Sequence, residues 1–392
     1  MIRQSILDRL PPAIRRRLDA AADVLSLLTA VREPSVIAAL APSAVRGLIL
    51  QRGHHAAGRM RAHHDVRVDW TLAPAAPAIA QLYDRAKKEQ WTSDQLAWKT
   101  SVDPLDPEVP LLPSSFLAFD ELERLGVRLD DRGRRALLHE TATWMLSQFL
   151  HGEQGALLAS AQVTECVATL DSKLLSASQV MDEARHVEVF QRYLQDKLGG
   201  VIPIDDNLFV IIDALMTDAR WDMKVLGMQI MVEGLALGAF GTLYRATREP
   251  LLRDLLRRVM RDEARHVHFG VLALREHIRL ALSERERRER EDWAFEIALL
   301  MRDRFMLHEI YRRRFEGLMS RAQWRGVVEA SPGMREFRRI MFGRLVPNLR
   351  AIGLITPRIR GRYEAAGLLE LASGRSANEG ESEEDLAIWR AA

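Results

Sequence analysis

The hexapeptide DEARHV occurs twice in the chain, at residues 182–187 and 262–267. Each copy sets a glutamate three positions before a histidine: Glu183 with His186, and Glu263 with His266. Side chains at that spacing share one face of an α-helix, so each copy offers a carboxylate and an imidazole to the same point. Counting back thirty positions from each glutamate (183 to 153, 263 to 233) reaches another, Glu153 and Glu233. The unit is therefore a glutamate followed at a fixed distance by Glu-x-x-His, used twice. One Glu-x-x-His alone is ordinarily a surface pair; the doubling with matched glutamates points to a two-metal site. Mixed oxygen and imidazole donors suit iron or manganese better than zinc. Two divalent ions bring +4 against −4 from four carboxylates, which lets four acids share a buried site.

These residues meet only if long helices position them. The sequence predicts a helix over 133–168, an N-cap signal at Asp171 and Ser172, and a second helix to Leu198, ended by Gly199-Gly200 and Pro203. Asp205 or Asp206 caps the next stretch, which runs to about Ala246 with a break near Asp218. Glu249-Pro250 opens a further helix to about Leu282, with proline in its first turn. Glu153 lies about 16 residues before a turn near 169–170 and Glu183 about 13 after it, so at ~1.5 Å per residue both stand roughly 20–24 Å from the turn. A second hairpin, turning near 247–249, repeats the arithmetic for Glu233 and Glu263. Four helices then present Glu, Glu-x-x-His, Glu and Glu-x-x-His at one level, the pattern of ferritin-like di-metal carboxylate bundles. Glu140 and Glu165 fall at other levels of the first helix and are expected to be solvated or salt-bridged.

The rest of the chain reads as all-α. Alanine, leucine, arginine and glutamate dominate, and alternating β-branched stretches are scarce. Residues 1–130 are expected to form a helical N-terminal extension broken at prolines, with the connector DPLDPEVPLLP before the bundle at 131–284. Residues 285–372 form a helical C-terminal extension, with helices at 285–318 and 321–345, and the polar stretch 373–392 is read as a disordered tail. Amphipathic stretches near 13–30 and 36–50 are expected to pack on the main domain rather than lie on a membrane. The apolar stretch Val225–Tyr244 is long enough to span a bilayer, but Glu233 at its centre favours a helix buried in protein.

The charge balance, 56 basic against 54 acidic residues, gives no reason to expect nucleic acid as a partner. A lone cysteine, Cys166, excludes an internal disulfide, and Arg3, Asp8, Arg9 and Arg15 to Arg17 interrupt any signal-peptide core. A cytoplasmic protein is expected.

The ligand order and the DEARH strings resemble the ferritin-like di-iron oxygenases, most closely the hydroxylase subunits of bacterial multicomponent monooxygenases. The likeness spans roughly residues 133–282. It implies that Glu153, Glu183 and His186 hold one iron and Glu233, Glu263 and His266 the other, with a manganese–iron pair as the alternative. Asp182 and Asp262 would serve the histidines, and Arg185 and Arg265 would brace them. It further implies dioxygen and a small organic substrate as reactants, an electron-donor protein, and compatibility with a homodimer. Three departures stand out. Leu237 replaces the threonine that follows the third glutamate by one turn in those monooxygenases. Phe190 stands where ribonucleotide reductase small subunits often carry a radical tyrosine, so Tyr193 and Tyr244 are read as packing residues. His268, the nearest candidate for an additional ligand, would point away on a helix.

The expected activity is O2-dependent hydroxylation, desaturation or related oxidation of an organic substrate. The alternative is an iron-storing or peroxide-reducing ferritin-like protein, which would need little beyond its four helices. Gly234, Gly238 and Gly241 follow Glu233, and such costly residues in a helix imply close packing, a local bulge or room beside the metals. Leu157, Phe190, Leu237 and Phe269 are the expected lining of that space. The second repeat also fixes a finer geometry. Asp182 points about 100° around its helix from Glu183, toward the helix that bears His266. Crossed pairs are therefore expected, Asp182 with His266 and Asp262 with His186.

Overall fold

In the computed structural model, the residues described are 34–55, 57–70 and 76–370, with Pro11, Ile14, Ser376 and Ala377. Apart from those isolated positions, the segments 13–30 and 373–392 and the charged N-terminus lie outside the described residues. In chain order the principal helices are α1 (Pro34–Ala44), α2 (Pro77–Lys88), α3 (Asp131–Cys166), α4 (Leu170–Leu198), α5 (Asp206–Thr217), α6 (Trp221–Ala246), α7 (Pro250–Glu276), α8 (Glu284–Arg304) and α9 (Pro332–Ile352). No strand forms among the described residues.

Local signals set the helix ends. Asp130 caps α3 by accepting from Gly133 N at 2.7 Å. Thr169, rather than the expected Asp171 or Ser172, caps α4, accepting from Ser172 N at 3.3 Å. Asp171 already lies in the first turn, and its carboxylate accepts from Ala76 N at 2.9 Å, tying the N-terminal extension to the bundle. Gly199 takes the left-handed conformation (φ 81°) that closes α4. Asp205 caps α5 through Asn207 N and Leu208 N, and Glu249 caps α7 through Leu251 N and Leu252 N. The expected helix over 285–318 stops at Arg304 and restarts at His308, after Leu307 at φ 54°. The expected helix over 321–345 divides at Ser331-Pro332. Proline has no N–H for the preceding helix but fits the first turn of α9, which Ser331 caps.

The tight connections 167–169 and 247–249 make α3/α4 and α6/α7 antiparallel hairpins, and these pack face to face. This is the four-helix arrangement that the spacing demanded. α2 lies across α4 and α7, α1 packs on α5, α8 also packs on α5, and α9 covers α6. Among the described residues, α1, α2, α8 and α9 thus lie against helices of the 131–284 region. Among the described residues, α6 alone is long and apolar enough to cross a membrane, and 89% of its apolar window is buried within the protein. The 36–50 stretch likewise turns Val36, Leu40, Ala44 and Leu48 inward.

A π-helical segment, Leu226–Val232, interrupts α6 immediately before Glu233. The bulge thus precedes the three glycines rather than coinciding with them. Only Gly238 shows a close approach of backbones: a Cβ there would lie 2.8 Å from Met341 Cα of α9. At Gly234 the nearest atom would be 3.7 Å away. Gly238→Ala should therefore destabilise the fold by about 1–3 kcal/mol through overpacking, while Gly234→Ala should be neutral or slightly stabilising. Scanning calorimetry of the two variants checks this, and equal melting temperatures would contradict the close approach.

Candidate metal centre

The two hairpins bring all six predicted ligands to one buried level. Glu153 (α3), Glu183 and His186 (α4), Glu233 (α6), and Glu263 and His266 (α7) are each at most 4% exposed. Their donor atoms fall into two groups, Glu153–Glu183–His186–Glu263 and Glu183–Glu233–Glu263–His266, with all atoms in a group within 4.8 Å of one another. Glu183 and Glu263 belong to both groups. The resemblance implied one Glu-x-x-His per ion; in the structure these two glutamates fall in both donor groups.

Each imidazole turns Nδ1 to the carboxylates and Nε2 away. His186 Nδ1 lies 3.3 Å from Glu153, 3.3 Å from Glu183 and 3.1 Å from Glu263. His266 Nδ1 lies 3.1 Å from Glu183, 3.6 Å from Glu263 and 3.9 Å from Glu233. On the far side His186 Nε2 pairs with Asp262 at 3.2 Å, and His266 Nε2 with Asp182 at 3.2 Å. The aspartates thus cross between the repeats in the expected pairing. Arg185 bonds both Asp182 and Asp262, as does Arg265 at 3.2 and 2.6 Å, closing a buried square of two acids and two bases.

The four glutamates are less completely compensated, with only the two imidazoles and Gln179 as partners. Glu183 Oε2, Glu233 Oε2, both Glu263 oxygens and His266 Nδ1 are buried without a hydrogen bond. Buried polar atoms are almost always satisfied, and these converge on one small volume. Carboxylate and imidazole donors so arranged fit two divalent cations of the iron or manganese type. Without cations, burial first and then the Glu263 charge push Glu153 and Glu233 well above the usual carboxylate range.

Several site residues had no signal in the motif. At the end of α2, Trp91 Nε1 donates to Asp262 at 2.7 Å, and its ring lies 4.7 Å beneath the Arg185 guanidinium. Gln90 bonds Arg185 at 3.1 Å and Asp182 at 3.4 Å, and Glu89 pairs with Arg265 at 2.8 Å. Gln179, one turn before Glu183, donates to Glu233 at 2.8 Å and accepts from Gln229 at 3.3 Å. These two glutamines stand four residues before Glu183 and Glu233, a spacing that the repeat could have revealed.

Beside the cluster lies a cavity of about 30 Å³ bordered by Glu153, Glu233 and Glu263. Its apolar wall is formed by Phe149, Ala236, Ala239, Phe240, Met301 and Met341. None of the expected lining residues Leu157, Phe190, Leu237 and Phe269 borders it. The space opens between α3, α6 and the C-terminal helices, and Phe190 sits behind Phe240, stacked at 5.7 Å. His268 belongs to neither donor group. Tyr193 donates to the Glu249 cap at 2.7 Å, and Tyr244 lies under Arg253 at 4.5 Å, both packing roles. Glu140 pairs with Arg313 and Arg314, and Glu165 with His64.

No family model and no curated protein sequence matches the chain. Among solved structures, dimanganese(II) NrdF of Streptococcus sanguinis is similar with a TM-score of 0.48 at 12% identity, covering 73% of this chain and 91% of that one. An R2-like ligand-binding oxidase with an aerobically reconstituted metal cofactor after photoconversion gives 0.39 at 17% identity, covering 67% and 92%. A variant of an R2-like ligand-binding oxidase with an anaerobically reconstituted Mn/Fe cofactor gives 0.43 at 16%, covering 71% and 94%.

Two outcomes follow from the geometry. Glu183→Ala removes a donor common to both groups and should lower metal content at both positions, whereas Glu153→Ala should spare one; elemental analysis of purified variants distinguishes them. Burial favours the protonated forms of Glu153 and Glu233, and the facing carboxylates favour protonated His186 and His266, so metal must compete with protons at the site. Apparent Mn(II) affinity should therefore rise with pH, and a flat profile would contradict these shifts.

Proposed function

We propose that this chain is a di-metal oxidase or oxygenase that oxidises a small organic substrate with dioxygen. It would hold two iron ions, or a manganese–iron pair, between Glu153, Glu183, His186, Glu233, Glu263 and His266. The observation that carries this reading is the pair of overlapping donor groups, several of whose buried oxygens face only one another and the two imidazoles. When bound, such a metal pair supplies electrons for the reduction of dioxygen.

The chain's own residues set the conditions for that chemistry. Glu183 and Glu263 would serve both ions, while Glu153 with His186 and Glu233 with His266 would complete one set each. With metal bound, Asp262 and Asp182 would hold the histidine protons on Nε2 and leave each Nδ1 free to ligate. Arg185 and Arg265 neutralise these aspartates, and Trp91 fixes Asp262 from outside the bundle. Gln179 restrains Glu233 at the edge of the cavity. The ligands are nearly inaccessible, so reducing equivalents must cross the protein, which supports a separate electron donor.

The cavity favours oxidation of an organic molecule over iron storage. Met301, Arg304 and Phe305 at the end of α8, with Met341 of α9, close it on one side. The C-terminal extension thus completes a chamber beside the donor atoms, a feature that mineral storage does not require. The DEARHV strings support monooxygenation as the reaction type. Phe190 offers no phenol, so the proposed chemistry does not pass through a tyrosyl radical at that place.

Two changes test the reading. Asp182→Ala should weaken metal binding or activity by ~10–100-fold without abolishing it, as removal of a carboxylate behind a ligating histidine typically does. Aerobic addition of tens of ferrous ions per chain should consume oxygen without building a soluble ferric core, whereas retention of such a core would establish storage instead.

A further inference from the structure

Arg304, the last residue of α8, is 6% exposed and borders the cavity. Its Nη1 donates to the Met301 thioether at 3.4 Å, its guanidinium lies 4.4 Å from the Phe305 ring centroid, and its Nε has no hydrogen bond. Among the described residues it makes no ion pair. The acid whose charge acts on it, Asp205, is occupied in capping α5 through Asn207 N and Leu208 N. The other arginines of the interior are matched: Arg185 and Arg265 with the two aspartates, and Arg290 with Asp222 at 2.9 Å. A buried guanidinium left without an anion is unfavourable. Burial lowers its pKa only to about 10, so it stays cationic at neutral pH.

The same cavity is also bordered by Glu153, Glu233 and Glu263, and most of its remaining lining is apolar. A ligand that satisfies every surface has an anionic head at Arg304 and a short apolar body reaching toward the metal centre. A guanidinium presents a planar fork suited to carboxylate or phosphate. The apolar lining calls for an anionic head joined to a hydrocarbon body, which favours an aliphatic carboxylate over inorganic phosphate.

We propose that Arg304 anchors the carboxylate of a short aliphatic acid, the substrate of the oxidase site, with its alkyl end against Ala236, Ala239 and Phe240 facing the metal pair. This assignment rests on the metal reading above in one respect. Cations at the cluster would offset the glutamate charge that faces the anion, so affinity should be greater in the metal-loaded protein.

The test is calorimetric titration of the full chain, Mn(II)-loaded and metal-free, with propionate, its neutral isostere propionamide, and inorganic phosphate. The Mn(II)-loaded wild type should bind propionate in preference to both other probes. Arg304→Met should weaken propionate binding by about tenfold or more, the scale of a lost charge-assisted hydrogen bond, and Arg304→Lys should retain part of it, with Mn(II) content unchanged in both. Equal binding of acid and amide, preference for phosphate, no propionate binding by the loaded wild type, or unaltered propionate binding by Arg304→Met would each overturn the proposal. The last result would mean that the metals hold the acid directly. Should the variants fail to fold, the acid–amide comparison on the wild type decides alone. Arg304-dependent binding by a chain that takes up no Mn(II) would instead defeat the metal reading and leave the anion site standing.

Discussion

The structure is organised around the burial of six carboxylates in one layer of a helical bundle. Each buried charge costs several kcal/mol unless it is paired and hydrogen-bonded. Asp182 and Asp262 find that pairing within the chain, in Arg185 and Arg265. Glu153, Glu183, Glu233 and Glu263 do not: two imidazoles and Gln179 face them, and several of their oxygens bond nothing. The chain thus separates its acids into a self-neutralised outer set and an inner set that calls for external cations. The histidines join the two, with one ring nitrogen turned to each.

The twofold repeat supplies a symmetric frame, and the flanking segments break the symmetry. On the α4/α7 side, the end of α2 places Trp91 on Asp262 but Gln90 on Asp182, so the two Asp–His pairs differ in environment. On the α3/α6 side, α8 and α9 close a chamber against Glu153 and Glu233. The bundle is therefore braced on one side and open to a small cavity on the other. Its long helices hold the donor atoms at a common height, and the residues outside the repeat decide what approaches them. The π-helical turn before Glu233 falls on the cavity side, where backbone geometry sets the reach of that carboxylate.

Much of this was legible in the sequence because it is periodic. The Glu-x-x-His spacing, the matched glutamates at thirty positions and the caps at Asp205 and Glu249 are local signals, and helix geometry converts them into a three-dimensional layer. The crossed Asp–His pairs followed from the angle between adjacent residues on one helix. Contacts between segments distant in the chain carried no comparable signal. Trp91 and Asp262 are separated by 171 positions, and neither the tryptophan nor its neighbours repeat. The cavity lining was misplaced for the same reason. Residues one turn from each ligand were natural choices, but the space opens toward Met301, Arg304 and Met341, whose approach depends on tertiary packing of the C-terminal extension. Thr169 displaced Asp171 as a cap because Asp171 serves the backbone of a segment 95 positions earlier.

The central claim is that two cations complete the inner carboxylate layer. Crystals of the chain loaded anaerobically with ferrous iron, measured at the iron absorption edge, test it most directly. The account predicts two anomalous peaks about 3.5–4 Å apart, the usual spacing of two-metal sites. Both should lie within bonding distance of Glu183 and Glu263, one adjoining Glu153 and His186 and the other Glu233 and His266. A single peak, or none at this level of the bundle while the protein is folded, would contradict it.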